Sequence, residues 1–310
     1  MAMLWGTAFV ATKGLLGRIP AADQTAWRFG IAVVVLALIR PKALRMSAGT
    51  LRRGAVMGLL FGTAQLAQTY GLERTTASVS AFITGLYLVI VALIEAVGLR
   101  SRLPRRVSAA VILATIGMAA LTLTPGGQSA GAGVGEALTV ACAIFYAAHI
   151  AVTGRWSSVD NALSLTVVQG TVVSLMAWVA AIPGGITVPH GWVDWVPLLY
   201  LGIVCGSVTL FLQIWAQSLV NATSAAVVMS TEPVWATVAA LVVGQEPFSL
   251  RIAGGGAAML AAMVLAIGRQ QELVPDATGE GLELTDINAA GWSTAPGSLP
   301  DRQRSGGLAD

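Results

Sequence analysis

Residues 225–236 read AAVVMSTEPVWA, a stretch apolar enough to lie in lipid that nevertheless carries Glu232 and Pro233 side by side. A carboxylate in hydrocarbon costs about 3 kcal/mol even on insertion scales. Pro233 removes a backbone donor and frees the carbonyl of Met229, and bare backbone groups survive at membrane depth only beside protein or a water-filled cavity. The stretch therefore predicts that Glu232 faces an interior cavity. A structural hydrogen bond to a neighbouring helix is the alternative.

The composition excludes an ordinary soluble protein. Of the 310 residues, 55% are hydrophobic and 11% are charged, whereas a soluble domain carries about 25% charged residues. The net charge of +3 needs no nucleic acid, because the arginines stand in short loops between apolar runs. Cys142 and Cys205 lie within apolar runs, which favours packing over a disulfide. The chain is predicted to be an all-α polytopic membrane protein in the lipid bilayer.

Apolar runs of membrane-spanning length predict about ten transmembrane helices. Their expected bounds are 1–16, 22–39, 54–70, 76–99, 107–123, 134–152, 162–182, 195–216, 224–244 and 252–267. The Gly-rich, uncharged break at 124–133 separates a first five-helix repeat (1–123) from a second (134–268). Residues 269–310 are acidic and rich in Gly, Ser and Pro, which predicts a disordered cytoplasmic tail. Within the third span, Gly54, Gly58 and Gly62 form a small-residue face for close helix packing.

Basic residues in short loops predict the orientation. Most of them fall on one side if the helices alternate, namely Arg40, Lys42, Arg45, Arg52, Arg53, Arg100, Arg102, Arg105, Arg106 and Arg155. The expected location is therefore the cytoplasmic membrane, with both termini in the cytoplasm.

A duplication underlies the two repeats. Gln68 aligns without a gap with Gln213, and the same register pairs Tyr87-Leu88 with Glu232-Pro233. Trp5 and Phe9 align with Phe145 and His149. Because each repeat has an odd number of helices, the second must enter from the opposite side, which predicts inverted topology.

Several motifs in a shared order resemble the EamA-type members of the drug/metabolite transporter superfamily. They are WGTAFVATK at 5–13, Arg28-Phe29, TASVSAFIT at 76–84, YLG at 200–202, ATSAA at 222–226, EPV at 232–234 and GQE at 244–246. The chain departs from the family pattern at Leu88, where proline is usual, and at 99–101, where Gly-Glu-Arg is usual; whether Glu95 replaces that glutamate is left open. The resemblance implies a ten-helix inner-membrane carrier, commonly an exporter of amino acids, other metabolites or drugs.

Eight residues are predicted to bind substrate: Glu232, Pro233, Trp5, Lys13, Gln68, Tyr87, Gln213 and Trp235. Each has a plainer alternative. Lys13 could extend to the headgroups, as could Arg28, which could also anchor helix packing. The two glutamines could bridge helices, and the aromatic residues could belong to packing or to the interfacial belt.

These features predict a secondary transporter that moves small metabolites or drugs by alternating access, in the direction of export. A small-molecule substrate is expected, and proton coupling is left open. No P-loop occurs in the sequence, so ATP hydrolysis is not expected, and neither a cofactor nor a metal site is predicted. The alternative is a membrane-embedded enzyme acting on a lipid or polyprenyl substrate, although no convergent acidic or His/Ser pair supports it. A third possibility is an interaction or scaffold subunit, which would require neither an intramembrane Glu232 nor the duplication.

Overall fold

The computed structural model describes residues 1–98, 132–220, 222–229 and 231–267, together with positions 105, 109, 112, 113, 116, 117 and 120. Every secondary-structure element in these residues is a helix. Most of the predicted fifth helix (107–123), the predicted tail (269–310) and the side chain of Glu95 lie outside them.

The α-helices are α1 (Ala2–Leu15), α2 (Ala21–Ile39), α3 (Ala48–Leu72), α4 (Ala77–Thr84), α5 (Tyr87–Gly98), α6 (Ala132–Trp156), α7 (Ala162–Ala181), α8 (Gly191–Leu199), α9 (Thr209–Gln217), α10 (Ala222–Met229), α11 (Glu232–Val242) and α12 (Leu250–Ile267). A π-helical segment, Tyr200–Val208, connects α8 to α9 without a break. Thr76 caps α4 by accepting a hydrogen bond from the Val79 amide at 3.3 Å, as expected for Thr at an N-cap. Gly244, at φ +73°, follows α11 in the left-handed conformation that ends many helices.

Four helical segments among the described residues are long and apolar enough to cross a membrane: Ala21–Ile39, Gly133–Trp156, Ala162–Gly184 and Gly191–Gln217. Shorter apolar helices cover Ala77–Val91, Glu232–Val242 and Ile252–Leu265. The protein is therefore all-helical in its described part and carries several apolar spans. The count of ten helices and their inversion remain predictions.

The predicted fourth and ninth spans are each divided into two helices. α4 and α5 are separated by a turn at Gly85 and Leu86, and Thr231 forms a turn directly before α11. α5 and α11 begin at 87 and 232, a spacing of 145 residues. Pro233 is the second residue of α11, where its missing amide costs no helical hydrogen bond. Both breaks lie in apolar sequence, so hydropathy alone does not reveal them.

Small residues bring α3 close to α7, which confirms the predicted glycine face. A methyl group added at Gly54 would lie 2.7 Å from Cβ of Val168, and one at Gly58 would lie 2.6 Å from Cβ of Val172. Gly62 leaves the same kind of space for Met176, with Sδ 2.7 Å from an added methyl group. The three glycines thus let the two helices approach closely along three successive turns.

The described helices have two distinct ends. At the first, Lys13 Nζ donates to the carbonyl of Thr75 at 2.7 Å, Gln245 Nε2 donates to the carbonyl of Val10 at 3.1 Å, and Arg18 pairs with Asp194 at 2.6 Å. We call this the Lys13 end. The opposite end, which we call the Arg-rich end, holds Arg40 to Arg53 and Arg155. There Ser164 at the start of α7 donates to the carbonyl of Ala43 at 3.0 Å.

Candidate functional site

A buried cavity of about 20 Å³ lies among α1, α2, α3, α4, α6 and α11. It has room for about one water molecule. We call it the central cavity, and its lining residues are Trp5, Ala8, Phe9, Thr12, Arg28, Gln65, Gln68, Thr69, Leu72, Thr84, Tyr146 and Glu232. A carboxylate, a guanidinium and two amides thus share one small interior space with aromatic rings.

The break between α10 and α11 places Glu232 at this cavity. Glu232 is the first residue of α11, where the free amides of a helix N-terminus favour negative charge. Its side chain is buried, and Oε2 has no hydrogen-bond partner among the described residues. Gly6 in α1 allows α11 to come close, because a methyl group there would lie 2.7 Å from the Ala236 amide nitrogen and 2.9 Å from the carbonyl oxygen of Glu232.

Arg28 supplies the opposite charge from α2. Its side chain is buried, its Nε has no hydrogen-bond partner among the described residues, and its guanidinium carbon lies 5.2 Å from the ring centre of Phe29. Arg28 and Glu232 form no ion pair within 4 Å, because the ion pairs of the described residues are Arg18–Asp194 and Glu73–Arg74. The two charges therefore share a cavity without neutralising each other by direct contact.

Tyr146 in α6 is the centre of an aromatic cluster beside the charges. Its ring centre lies 5.3 Å from that of Tyr87, 6.2 Å from that of Trp5 and 5.7 Å from that of Phe61. These spacings are those of favourable edge and tilted aromatic contacts. Trp5 is fixed further by its indole nitrogen, which donates to the carbonyl of Cys205 at 3.2 Å.

Amide and hydroxyl groups complete the cavity wall. Gln68 Nε2 donates to Thr84 Oγ1 at 3.3 Å. The side-chain oxygen of Gln65 is buried without a hydrogen-bond partner among the described residues. These groups can donate and accept hydrogen bonds, so the wall can contact a polar solute beyond the two charges.

A second, larger cavity of about 460 Å³ opens at the Lys13 end. We call it the outer cavity, and it is lined by Lys13, Glu73, Arg74, Thr75, Thr76, Ala77, Gln245 and Glu246. Lys13 Nζ donates to the carbonyl of Leu72 at 2.6 Å as well as to that of Thr75. Glu246 Oε1 accepts from the Ser78 amide at 2.9 Å and so caps α4. Leu72 also lines the central cavity, so these contacts stand between the two spaces.

The structure brings some of the predicted site residues together and separates others. Trp5, Gln68 and Glu232 line the central cavity, while Tyr87 is fully buried beside it against Tyr146. Pro233 is buried next to Glu232 at the start of α11. The remaining three lie elsewhere: Lys13 in the outer cavity, Gln213 fully buried in α9, and Trp235 42% exposed on α11.

Sequence reasoning missed several members of the cavity wall, above all Tyr146, Gln65 and Thr12. Tyr146 had no signal in the sequence, because the residue that aligns with Trp5 is Phe145, and adjacent positions of a helix do not share a face. Gln65 lies three residues before Gln68 on the same helix, a spacing that places both on one face. Thr12 had no comparable signal.

The chain matches the model of the EamA-like transporter family over residues 1–123 and 133–268. It belongs to this family. A transporter of Archaeoglobus fulgidus, described as an uncharacterized transporter, is 26% identical over 236 residues, which cover 76% of this chain and 73% of that protein. A solved crystal structure, titled only as the crystal structure of a protein, has a TM-score of 0.64 at 20% identity. It covers 86% of this chain and 94% of its own, and it shows a similar fold.

Membership in the EamA-like family makes this protein a multi-pass membrane transporter, in agreement with its apolar helices. Family and relative point to transport rather than to an enzyme. Among the residues that the structure describes, no group of three or more His, Cys, Asp or Glu could hold a metal ion.

Proposed function

We propose that this EamA-like transporter is a secondary carrier that exports small zwitterionic metabolites, such as amino acids or related compounds, or drugs of similar chemistry. One observation carries the proposal. Glu232 and Arg28 line the same central cavity, and no ion pair within 4 Å joins them. An ammonium group can pair with the carboxylate of Glu232, and a carboxylate can pair with the guanidinium of Arg28, which suits such planar acceptors.

The surroundings of the two charges support a solute with an apolar part. Trp5 and Tyr146 present aromatic surface to the same cavity, and ligand sites commonly combine apolar walls with a few placed polar groups. A sugar phosphate, with two or more negative charges, would find Arg28 but also the repulsive carboxylate of Glu232. A zwitterion matches both charges.

The arrangement of the helices supports alternating access. Interrupted helices at equivalent places in two repeats, with charged or polar groups at the breaks, are the usual site architecture of carriers with inverted repeats. Here α5 and α11 begin at a spacing of 145 residues, each directly after a turn, and Tyr87 and Glu232 occupy the first position of the two helices. We infer two inverted five-helix repeats, 1–123 and 134–268, that rock around the central cavity.

The positions of the two cavities, with both termini in the cytoplasm, support an opening of the carrier toward the side opposite the basic loops. The outer cavity is at the Lys13 end, and the basic loops that predict the cytoplasmic side are at the other end. A solute leaving the central cavity in this conformation would pass Leu72 and Lys13 toward the outer cavity. The same geometry permits a proton to take the place of the solute ammonium on Glu232.

The test is flux into proteoliposomes with radiolabelled glycine, L-leucine and L-phenylalanine, each compared with the matching amine and carboxylic acid. The proposal expects transport of at least one of the three zwitterions. Within that matched set, only the zwitterion should compete for transport, and the amine and the carboxylic acid should not. Asp160, exposed in the loop before α7, provides a control variant, Asp160→Asn, with wild-type flux. Equal flux of amine, acid and zwitterion would contradict the proposal. Lipid turnover without solute flux would favour the membrane enzyme instead.

A further inference from the structure

The described part of the second half carries four buried imidazole or amide side chains that the central cavity does not include. They are His149 in α6, Gln169 in α7, and Gln213 and Gln217 in α9, none of them more than 2% exposed. Each has at least one side-chain nitrogen or oxygen without a hydrogen-bond partner among the described residues, and Gln213 lacks one at both amide atoms. Leaving such a group unsatisfied costs about 1–3 kcal/mol, so four together call for a physical reason.

These residues lie close together toward the Arg-rich end. His149 Nε2 lies 3.0 Å from Gln169 Oε1, within hydrogen-bond distance, and Gln217 Nε2 donates to the carbonyl of Ile150 at 3.3 Å. The second contact holds α9 against the turn of α6 that carries His149. Gln213 precedes Gln217 by one helical turn and therefore lies on the same side of α9. We call the four residues the inner polar cluster.

Each residue of the inner polar cluster corresponds, by its place in the second half, to a first-half residue that lines the central cavity. α2 and α7 begin at 21 and 162, so Arg28 and Gln169 occupy the same place in their helices. α3 and α9 end at Leu72 and Gln217, and the 145-residue spacing of these ends also relates Gln68 to Gln213. The four related pairs are Phe9 and His149, Arg28 and Gln169, Gln68 and Gln213, and Leu72 and Gln217. Every first-half member lines the central cavity.

An aromatic layer stands between the two sites. The ring centre of Phe61 lies 5.7 Å from that of Tyr146, which lines the central cavity, and 4.9 Å from that of His149. Phe61 itself also contacts Phe29, with ring centres 5.6 Å apart. A displacement of this layer would connect the central cavity to the inner polar cluster.

We propose that His149, Gln169, Gln213 and Gln217 form a second substrate subsite, which contacts the polar groups of a zwitterion when the carrier is open toward the Arg-rich end. The proposal rests on the proposed alternating-access function. The subsite offers amide and imidazole groups but none of the fixed charges that Glu232 and Arg28 bring to the central cavity. It therefore suits transient hydrogen bonding of a passing solute, since a site on a transport route must also let its occupant leave.

The experiment measures thiol labelling in proteoliposomes of defined orientation. Cys142 and Cys205, both buried, are replaced by Ala, and single variants Gln213→Cys, Gln217→Cys, Gln68→Cys and Ala226→Cys are compared. Ala226 is as fully buried as Gln213 but is apolar and lies outside both sites. The probe is a small, charged, membrane-impermeant methanethiosulfonate added to one face at a time.

We expect Gln213→Cys and Gln217→Cys to be labelled from the Arg-rich face at least about tenfold faster than Ala226→Cys. The state that is open toward the Arg-rich end would expose the first two positions and leave Ala226 buried. Such a minor state is commonly populated at about 0.1–10%, which is enough for the probe to react. Gln68→Cys should be labelled from the Lys13 face. The subsite is overturned if both second-half variants react no faster than Ala226→Cys, or react only from the Lys13 face. Gln217→Cys keeps the test decisive if Gln213→Cys does not fold.

This readout needs no substrate and so separates the two proposals. If Gln213→Cys and Gln217→Cys are labelled from the Arg-rich face but no zwitterion is transported, the subsite would serve another solute and the proposed substrate class would be refuted. Zwitterion flux without labelling of the inner polar cluster would refute the subsite and leave the proposed function intact.

Discussion

Glu232 and Arg28 line one cavity of about 20 Å³, yet they form no ion pair within 4 Å. Two buried opposite charges that face the same space without closing on each other are expensive for stability. The cost is understandable if a third group, carrying both charges, completes the pairing during transport.

Replacing Glu232 by Gln tests the negative member of this pair. The amide keeps the size of the side chain but loses its charge, so we expect zwitterion flux to fall by about tenfold to a hundredfold, the equivalent of a charged hydrogen bond. Membrane insertion should be unchanged, as judged by gel filtration and melting temperature against Asp160→Asn. Binding lost at every pH would indicate substrate recognition, whereas flux that only loses its pH dependence would indicate proton coupling. Wild-type flux would make Glu232 structural.

Replacing Arg28 by Gln tests the positive member. We expect the preference for a zwitterion over the matching amine to disappear, because the carboxylate then has no cationic partner in the central cavity. Arg28→Lys should give an intermediate preference, since Lys keeps the charge but not the planar, two-pronged donor. Competition assays with L-leucine and isopentylamine measure the preference. An unchanged preference in Arg28→Gln would assign Arg28 to helix packing.

Replacing Gly6 by Ala tests the close approach of α1 and α11. The added methyl group would lie 2.7 Å from the Ala236 amide nitrogen, a backbone atom that no rotamer change can move. We expect a loss of stability of about 1–3 kcal/mol, typical of overpacking, together with reduced flux. Gly14→Ala on the same helix is the control, because its nearest neighbour, Gln245 Nε2, is 3.4 Å away. Equal melting temperatures for the two variants would show that α1 can shift freely.

Replacing Lys13 by Gln tests the contacts at the Lys13 end. The ammonium of Lys13 binds the carbonyl of Leu72 and that of Thr75. Leu72 is the last residue of α3, where an α-helix leaves its carbonyls unsatisfied, and Thr75 lies in the bend before α4. We expect faster thiol labelling of Gln68→Cys from the Lys13 face, because the wall between the outer and central cavities is weakened. Lys42→Gln, at an exposed position of the Arg-rich end, should leave labelling unchanged. If Lys13→Gln does not alter labelling either, these contacts do not control access.

The sequence is sufficient to predict a helical membrane protein and to single out Glu232. Both conclusions rest on the high cost of placing charge in lipid, which makes long apolar runs and an intramembrane carboxylate informative. The prediction of a transporter depends in addition on the duplication and on the motifs that resemble the EamA-type family. The glycine face of α3 can also be predicted from the sequence, because small residues four positions apart in a membrane helix are typical of a face for close helix packing.

The details of the site depend on geometry that the sequence does not encode locally. Residues 76–99 are apolar on both sides of Gly85, so their periodicity predicts one span where the structure has α4 and α5. Trp235 lies three residues after Glu232, a spacing that places both on one helix face, yet its side chain is 42% exposed and does not line the central cavity. Its position depends on how α11 packs against α1, which the spacing does not specify. Tyr146 enters the cavity through packing between distant helices, which no local pattern specifies.

The proposed arrangement of two repeats, in which Tyr87 and Glu232 hold matching positions at the starts of α5 and α11, has a consequence for gene history. Were the two halves separate, identical chains, a symmetric dimer would have to present two carboxylates, or two tyrosines, to the same interior. Two carboxylates would repel each other in a space with little water. Joining the halves in one polypeptide allows Tyr87 in one copy and Glu232 in the other. In the proposed arrangement, fusion permits one acid at a position where a symmetric dimer would carry two.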